Sequence, residues 1–186
     1  MKRTRRSAMT LLEVTIVLLV VGLLSAVAAP KFAATVRGSQ VRAAAIQLGG
    51  HITYLRRVAI SEGRNSTLTI SEANDLYSSA DVDFPERIGA KILVQLKETF
   101  DPSLELTADF DGAKFMTFDL EGVPHVGITP MVSGMIKISS PGVESYYIVI
   151  APGTGYVSVV SGSQILSDSN EQASFWFPTD QILASI

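Results

Sequence analysis

Apolar positions change their rhythm twice along this chain. From Met9 through Ala29, 21 consecutive residues carry a single charge, Glu13. At 1.5 Å of rise per residue such a helix is about 31 Å long, the thickness of a bilayer core, so the pattern predicts a membrane-spanning helix over residues 9–29. After Pro30 the rhythm becomes amphipathic. Val41, Ala45, Leu48, Ile52, Leu55 and Ala59 recur every three or four residues, with Arg42, Arg56, Arg57 and Glu62 off that face. The spacing predicts that the helix continues over residues 30–63, bent at Pro30, softened at Gly22, Gly49 and Gly50, with a loop at Gly49-Gly50 as the second reading, and capped at Gly63. The stripe is short and rich in alanine for a coiled-coil seam, so it is expected to lie on a sheet of the same chain.

Beyond Gly63 the period shortens to two, and turn residues cut the chain into pieces. Strands are predicted at Ser66 to Ser71, Lys91 to Lys97, Leu104 to Asp109, Lys114 to Asp119, Met135 to Ser140, Ser145 to Ala151 and Tyr156 to Val160. Asp111-Gly112, Glu121-Gly122, Pro141-Gly142 and Pro152-Gly153 fall between them as hairpin signals. The polar stretch Glu72 to Gly89, with Asp75, Asp81 and Asp83, reads as a long loop. The expected fold class is α+β: a long N-terminal helix, membrane-spanning in its first half, packed on an antiparallel β-sandwich-like domain over residues 64–160. A tail, residues 161–186, holds Phe175, Trp176 and Phe177, a cluster that reads first as a strand covering a sheet edge and second as an exposed contact for a partner.

Charge adds a direction. Lys2, Arg3, Arg5 and Arg6 precede the apolar run with no acid among them, while the whole chain has a formal net charge of -3. A basic tip before a span keeps the N-terminus in the cytoplasm and places everything after Lys31 on the far side. The absence of cysteine excludes disulfides and thiolate chemistry. A second reading fits the same residues: Lys2 to Arg6 as the n-region of a secretory signal, Val14 to Leu24 as its h-region, and Ala26-Val27-Ala28 as a cleavage site, which would leave a secreted soluble β-domain cut after Ala28. Glu13 separates the two readings. An ordinary signal has only apolar residues there, and a carboxylate at the edge of hydrocarbon calls for a partner.

The run Ser7-Ala8-Met9-Thr10-Leu11-Leu12-Glu13-Val14 closely resembles the class III signal of type IV pilins and type II secretion pseudopilins. The resemblance implies cleavage by a prepilin peptidase between Ala8 and Met9, removal of the leader 1–8, and N-methylation of Met9. The family's usual glycine before the cut is Ala8 here, and its usual phenylalanine after the cut is Met9. It also implies that Glu13, the fifth residue of the mature chain, pairs with the terminal amine of a neighbouring subunit. Three further segments resemble GspH/FimT-type minor pseudopilins: Tyr54 to Arg64 at the junction of helix and first strand, Phe118 to Pro124 as a central turn, and Ala151 to Val157 as the last hairpin. The family implies a non-catalytic subunit of a type II secretion pseudopilus, or a FimT-like minor type IV pilin of a pilus or DNA-uptake machine. Its partners would be other pseudopilins or pilins, the prepilin peptidase and an inner-membrane assembly platform, with the globular domain in the periplasm.

Candidate chemistry is sparse. His51 and His125 have no second ligand at metal spacing, and Asp109-Phe110-Asp111-Gly112 lacks the remaining oxygens of a calcium loop. Gly153-Thr154-Gly155 opens no helix and has no phosphate-loop pattern, and the serines have no recognisable base. No enzyme activity, metal or cofactor is therefore expected. Arg56, Arg57 and Arg64 form a small basic cluster, yet no Lys or Arg follows Lys137 and the last 49 residues carry -4, which argues against a nucleic-acid partner.

Overall fold

The computed structural model describes residues 11–168. The chain divides into two units between Val36 and Arg37, and one helix, α1 (Leu11–Glu62), runs through that division. In the second unit the predicted stripe is the buried one: Val41, Ala45, Leu48, Ile52, Leu55 and Ala59 are all 0% exposed. Gly49 and Gly50 leave the helix unbroken, and for Gly49 the packing gives the reason. A Cβ there would sit 2.8 Å from Val159 Cγ2, so glycine lets the last strand approach the helix backbone. Gly63, at φ +60°, ends the helix in the left-handed conformation that an L side chain resists. Arg64 N then donates to Ala59 O (3.3 Å), closing the last turn in a Schellman arrangement.

Two antiparallel sheets close on this helix. The first has the order β3-β2-β1-β5-β6-β7: β1 (Ser66–Ser71), β2 (Leu76–Phe84), β3 (Arg87–Gln95), β5 (Phe115–Phe118), β6 (Pro124–Val126) and β7 (Thr129–Pro130). The second has the order β10-β9-β8-β4: β4 (Glu105–Phe110), β8 (Gly134–Ser139), β9 (Tyr146–Ile150) and β10 (Val157–Ser161). Alternate residues of both sheets, including Leu68, Ile70 and Ile92 from the first and Leu106, Ile136, Ile138, Ile148 and Ile150 from the second, join the helix face in one apolar core.

All seven predicted strands are present, with ends displaced by a few residues. The stretch Glu72 to Gly89 is a correction. It is not a loop: Glu72–Asn74 form a 3-10 turn, β2 follows, and β3 has begun by Arg87. Its acids disguised the pattern because they serve as backbone acceptors. Asp81 Oδ2 accepts from Thr67 N (3.0 Å) and Asp83 Oδ2 from Gly89 N (2.9 Å), while Tyr77 and Val82 are buried. Past β3, Leu96–Thr99 form a helical turn, α2, where continued strand was expected. At the other end the predicted tail begins with structure, since β10 extends to Ser161 and α3 (Gly162–Asp168) follows. Phe175, Trp176 and Phe177 lie outside the described residues.

Carboxylates also close one edge of the second sheet. Leu106 N on β4 donates to Asp75 Oδ1 and Ala108 N to Glu72 Oε1, both at 2.8 Å, so two side chains from the β1–β2 connection replace a missing strand. Lys97 Nζ neutralises Asp75 at 2.7 Å and Lys114 Nζ neutralises Glu72 at 2.7 Å. Burial pulls the Glu72 pKa upward, but the hydrogen bonds from Lys114 and Ala108 outweigh it and hold the group below its ordinary value.

His51 projects from α1 to hydrogen-bond Tyr77 Oη (2.9 Å), with the Phe84 ring 5.6 Å away. Burial lowers its pKa, against a weaker upward pull from Glu86. The folded state therefore holds the imidazole neutral, and the unfolded chain binds its proton first as pH falls. Stability is expected to drop as the pH is lowered from 7 through the unfolded histidine value of about 6.5. His51→Gln should flatten that part of the profile, measured by urea unfolding of the full chain in detergent. Gly49→Val, which drives two methyl groups towards Val159, should cost about 1–3 kcal/mol. Val159→Ala in the same chain should recover part of that loss, a non-additivity that thermal unfolding of the single and double variants would read.

Candidate assembly helix

The first part of α1 is apolar on every side. Leu11, Leu19 and Leu23 are 85%, 71% and 68% exposed, and Leu12, Ile16, Leu18 and Leu24 are exposed with them. Its few hydroxyls are satisfied within the helix: Thr15 Oγ1 donates to Leu12 O (2.8 Å) and Ser25 Oγ to Val21 O (2.8 Å). Such back-bonding removes the cost that a free hydroxyl would bring to an apolar medium. A helix of this length and composition can cross a membrane. Glu13 stands exposed, the one charged side chain between Leu11 and Pro30. Pro30 lies inside the helix, and its missing N–H removes the bond that residue 30 would give to Ala26. Ala26, Val27 and Ala28 are helical. Ala8 and Met9, the two sides of the expected peptidase cut, lie outside the described residues.

At the other end of α1 the three segments that carry the sequence resemblance meet on one side chain. Half-buried Arg56 donates from Nε to Gly122 O (3.2 Å), and its guanidinium lies 5.0 Å from the centre of the Tyr156 ring. The turn that presents Gly122 is built by Asp119, whose Oδ1 accepts from Glu121 N (3.0 Å) and Val123 N (2.8 Å). Gly122 has φ +79°, and a Cβ there would fall 2.7 Å from Ile60 Cδ1. Gly155 fits as closely, since its Cβ would fall 2.5 Å from Gly122 O and 3.0 Å from Phe118. The central turn and the last hairpin thus close on each other and on the helix through positions where only hydrogen fits.

This arrangement divides the basic cluster. Arg56 is committed to Gly122 and Tyr156, and Arg64 to Glu62 (2.6 Å) and Asp81 O (2.9 Å), which leaves Arg57 exposed between them. His125 Nδ1 is 3.7 Å from Asp119 Oδ2, and His51 is held by Tyr77. Among the described residues no three His, Cys, Asp or Glu side chains converge as metal ligands. The Asp109–Gly112 segment is a turn, in which Asp109 Oδ1 accepts from Gly112 N (2.7 Å). Asp111 anchors a distant segment instead, accepting from Val132 N (2.7 Å) and Ser133 N (2.8 Å). Nothing local in the sequence signals that contact, because its partners are backbone groups 21 and 22 positions away.

Arg56→Ala removes the donor to Gly122 and the contact with Tyr156. It is expected to cost about 1–2 kcal/mol in thermal unfolding. Arg56→Lys should recover only part of that, since a point charge cannot stack as the planar guanidinium does.

No protein-family model matches this chain, and no curated protein does. Among solved structures it is similar to the minor pseudopilin EpsH from the Type 2 Secretion System of Vibrio cholerae, at 14% identity and a TM-score of 0.49, covering 66% of this chain and 97% of that one. It is also similar to the type IV minor pilin FimU of Pseudomonas aeruginosa, at 17% identity and a TM-score of 0.46, covering 64% of this chain and 91% of that one.

Proposed function

We propose that this chain is a pilin-like structural subunit, specifically a minor pseudopilin of a type II secretion system. In this reading α1 anchors it in the inner membrane and then assembles it into a periplasmic fibre. The observation that carries the reading is α1 itself. One unbroken helix carries an apolar segment exposed on every side, with a single carboxylate at Glu13, and ends as the buried spine of a β-rich domain. An apolar surface of that extent needs lipid or other helices around it. In the membrane Glu13 would be matched by the terminal amine of a neighbouring subunit, once cleavage between Ala8 and Met9 has created one. Four residues of helix separate the new terminus from Glu13, about 6 Å along the axis, so two helices in near register can bring the charges together. Pro30 would let the helix bend where it leaves the membrane.

The secretory reading fits the helix less well. Its cleavage triplet Ala26-Val27-Ala28 lies within a helix that continues without a break into the core of the domain. A cut after Ala28 would discard Glu13 with the leader and leave unexplained a carboxylate where an ordinary signal has only apolar residues.

The test is the intact mass and N-terminal sequence of the chain recovered from cells containing a prepilin peptidase. The pilin-like reading expects a membrane-bound chain that starts at methylated Met9. It also expects that Glu13→Ala inserts into the membrane and fails to enter fibres, read by cross-linking to the other subunits. A soluble chain that starts at Ala29 would overturn it. Cells lacking the chain should lose secretion of type II cargo while keeping pilus-driven motility; the reverse result would assign it to a type IV pilus.

A further inference from the structure

The four sheet edges are not treated alike. β4 is covered by the Glu72 and Asp75 carboxylates, β7 is two residues long and ends in Pro130, and β3 carries Arg87 and Lys91 and pairs with β2 through register shifts. Each of these blunts an edge against further pairing. β10 has none of them. Val157-Ser158-Val159-Val160-Ser161 is uncharged, lacks proline, is rich in β-branched residues, and has no strand on its outer side among the described residues.

Beside that edge runs an exposed face of α1. Val159 meets the helix at Gly49, and at 100° per residue Arg42, Ile46, Gly50, Thr53, Arg57 and Ile60 all fall on the side next to this contact. All six are exposed. Gly50 stands out, because glycine weakens a helix and nothing lies within 4 Å of where its Cβ would be. Gly49 is explained by Val159, whereas nothing among the described residues explains Gly50.

The chain itself supplies an occupant. Tyr156 lies over Arg56 and Val159 reaches Gly49, so β10 runs antiparallel to α1. It then enters α3, held to the sheet by Gly162 N donating to Ser145 O and Ser163 N to Glu144 Oε1, both at 2.9 Å. Residues 169–186 start from there. They carry Phe175, Trp176 and Phe177, two acids, Glu171 and Asp180, and no Lys or Arg. We propose that residues 169–186 return along β10 as a further antiparallel strand, bringing the aromatic cluster over Ile46 and Gly50 and setting Glu171 and Asp180 towards Arg42 and Arg57.

The dimensions and charges agree. Arg42 and Arg57 stand about 22 Å apart along the helix, and the nine steps from Glu171 to Asp180 reach up to about 30 Å when extended. The order agrees too, since a segment turning back from α3 passes Arg42 before Arg57. Neither arginine has an ion-pair partner among the described residues. Pro178 suits a new outermost strand, where a missing N–H costs no ladder bond and discourages further pairing.

Trp176 is the only tryptophan, so the fluorescence of the full chain in detergent micelles reports on this segment alone. Docking predicts blue-shifted emission, protection from iodide at every protein concentration, and no quenching by a brominated form of the detergent. Gly50→Leu places a side chain in the path of the strand without touching the core. It should move the emission to that of the urea-unfolded chain and give iodide the same access. Arg42→Glu with Arg57→Glu should loosen the segment in the same way, and adding Glu171→Arg with Asp180→Arg should restore protection. The proposal is overturned if the native emission already matches that of the unfolded chain, if brominated detergent quenches it, if protection appears only as concentration rises, which would make a second copy the cover, or if both sets of variants leave the emission unchanged.

Discussion

Val41, Ala45, Leu48, Ile52, Leu55 and Ala59 form the face of α1 on which both sheets close, and the sizes of the residues there set how near the sheets can come. Alanine at 45 and 59 and glycine at 49 bring the helix backbone close to the strands, while leucine and isoleucine between them fill the space left over. Because one helix serves two sheets, each sheet needs only one apolar face. The strands can therefore keep the strict alternation seen in β8, where every second residue is buried. The position of the edge strand β10 follows from the same contact, since Val159 occupies the place that a side chain at residue 49 would take.

Polar groups hold the periphery of this core by satisfying backbone donors. Asp75 and Glu72 finish β4, Asp81 ties Thr67 to the β2 bulge, Asp111 holds the segment before β8, and Asp119 shapes the turn that meets Arg56. In each case a short acidic side chain accepts from one or more N–H groups that would otherwise be left without a strand partner. An acidic body is thus put to structural use, and the basic residues are drawn into the same network at Lys97, Lys114 and Arg64.

The proposed assembly role follows from the contrast within α1. Its second half satisfies its apolar face inside the domain, and its first half does not. In that proposed role the charge at Glu13 would add specificity to a plain anchor, because hydrocarbon makes a buried carboxylate depend on a partner. Among the described residues of the domain, both histidines and most of the acids are bound into turns, edges and the core.

Much of this was legible along the chain. The apolar run from Met9 to Ala29, the helical stripe ending at Gly63 and the alternating strands beyond it each depend on local periodicity, which burial of one face imposes on any sequence that folds this way. The resemblance of Tyr54–Arg64, Phe118–Pro124 and Ala151–Val157 to one family could be seen as well, though not that the three converge on Arg56. What stayed hidden were choices made between distant segments. β2 passed for a loop because its aspartates accept from strands and turns elsewhere in the chain, and Gly49 looked like a weak point because its neighbour, Val159, is far away in sequence. Periodicity is written residue by residue, so local pattern alone sets the helix, most of the strands and the side each turns inward. Which strand lies beside which, and which carboxylate closes which edge, depended on contacts that exist only once the sheets have closed on the helix.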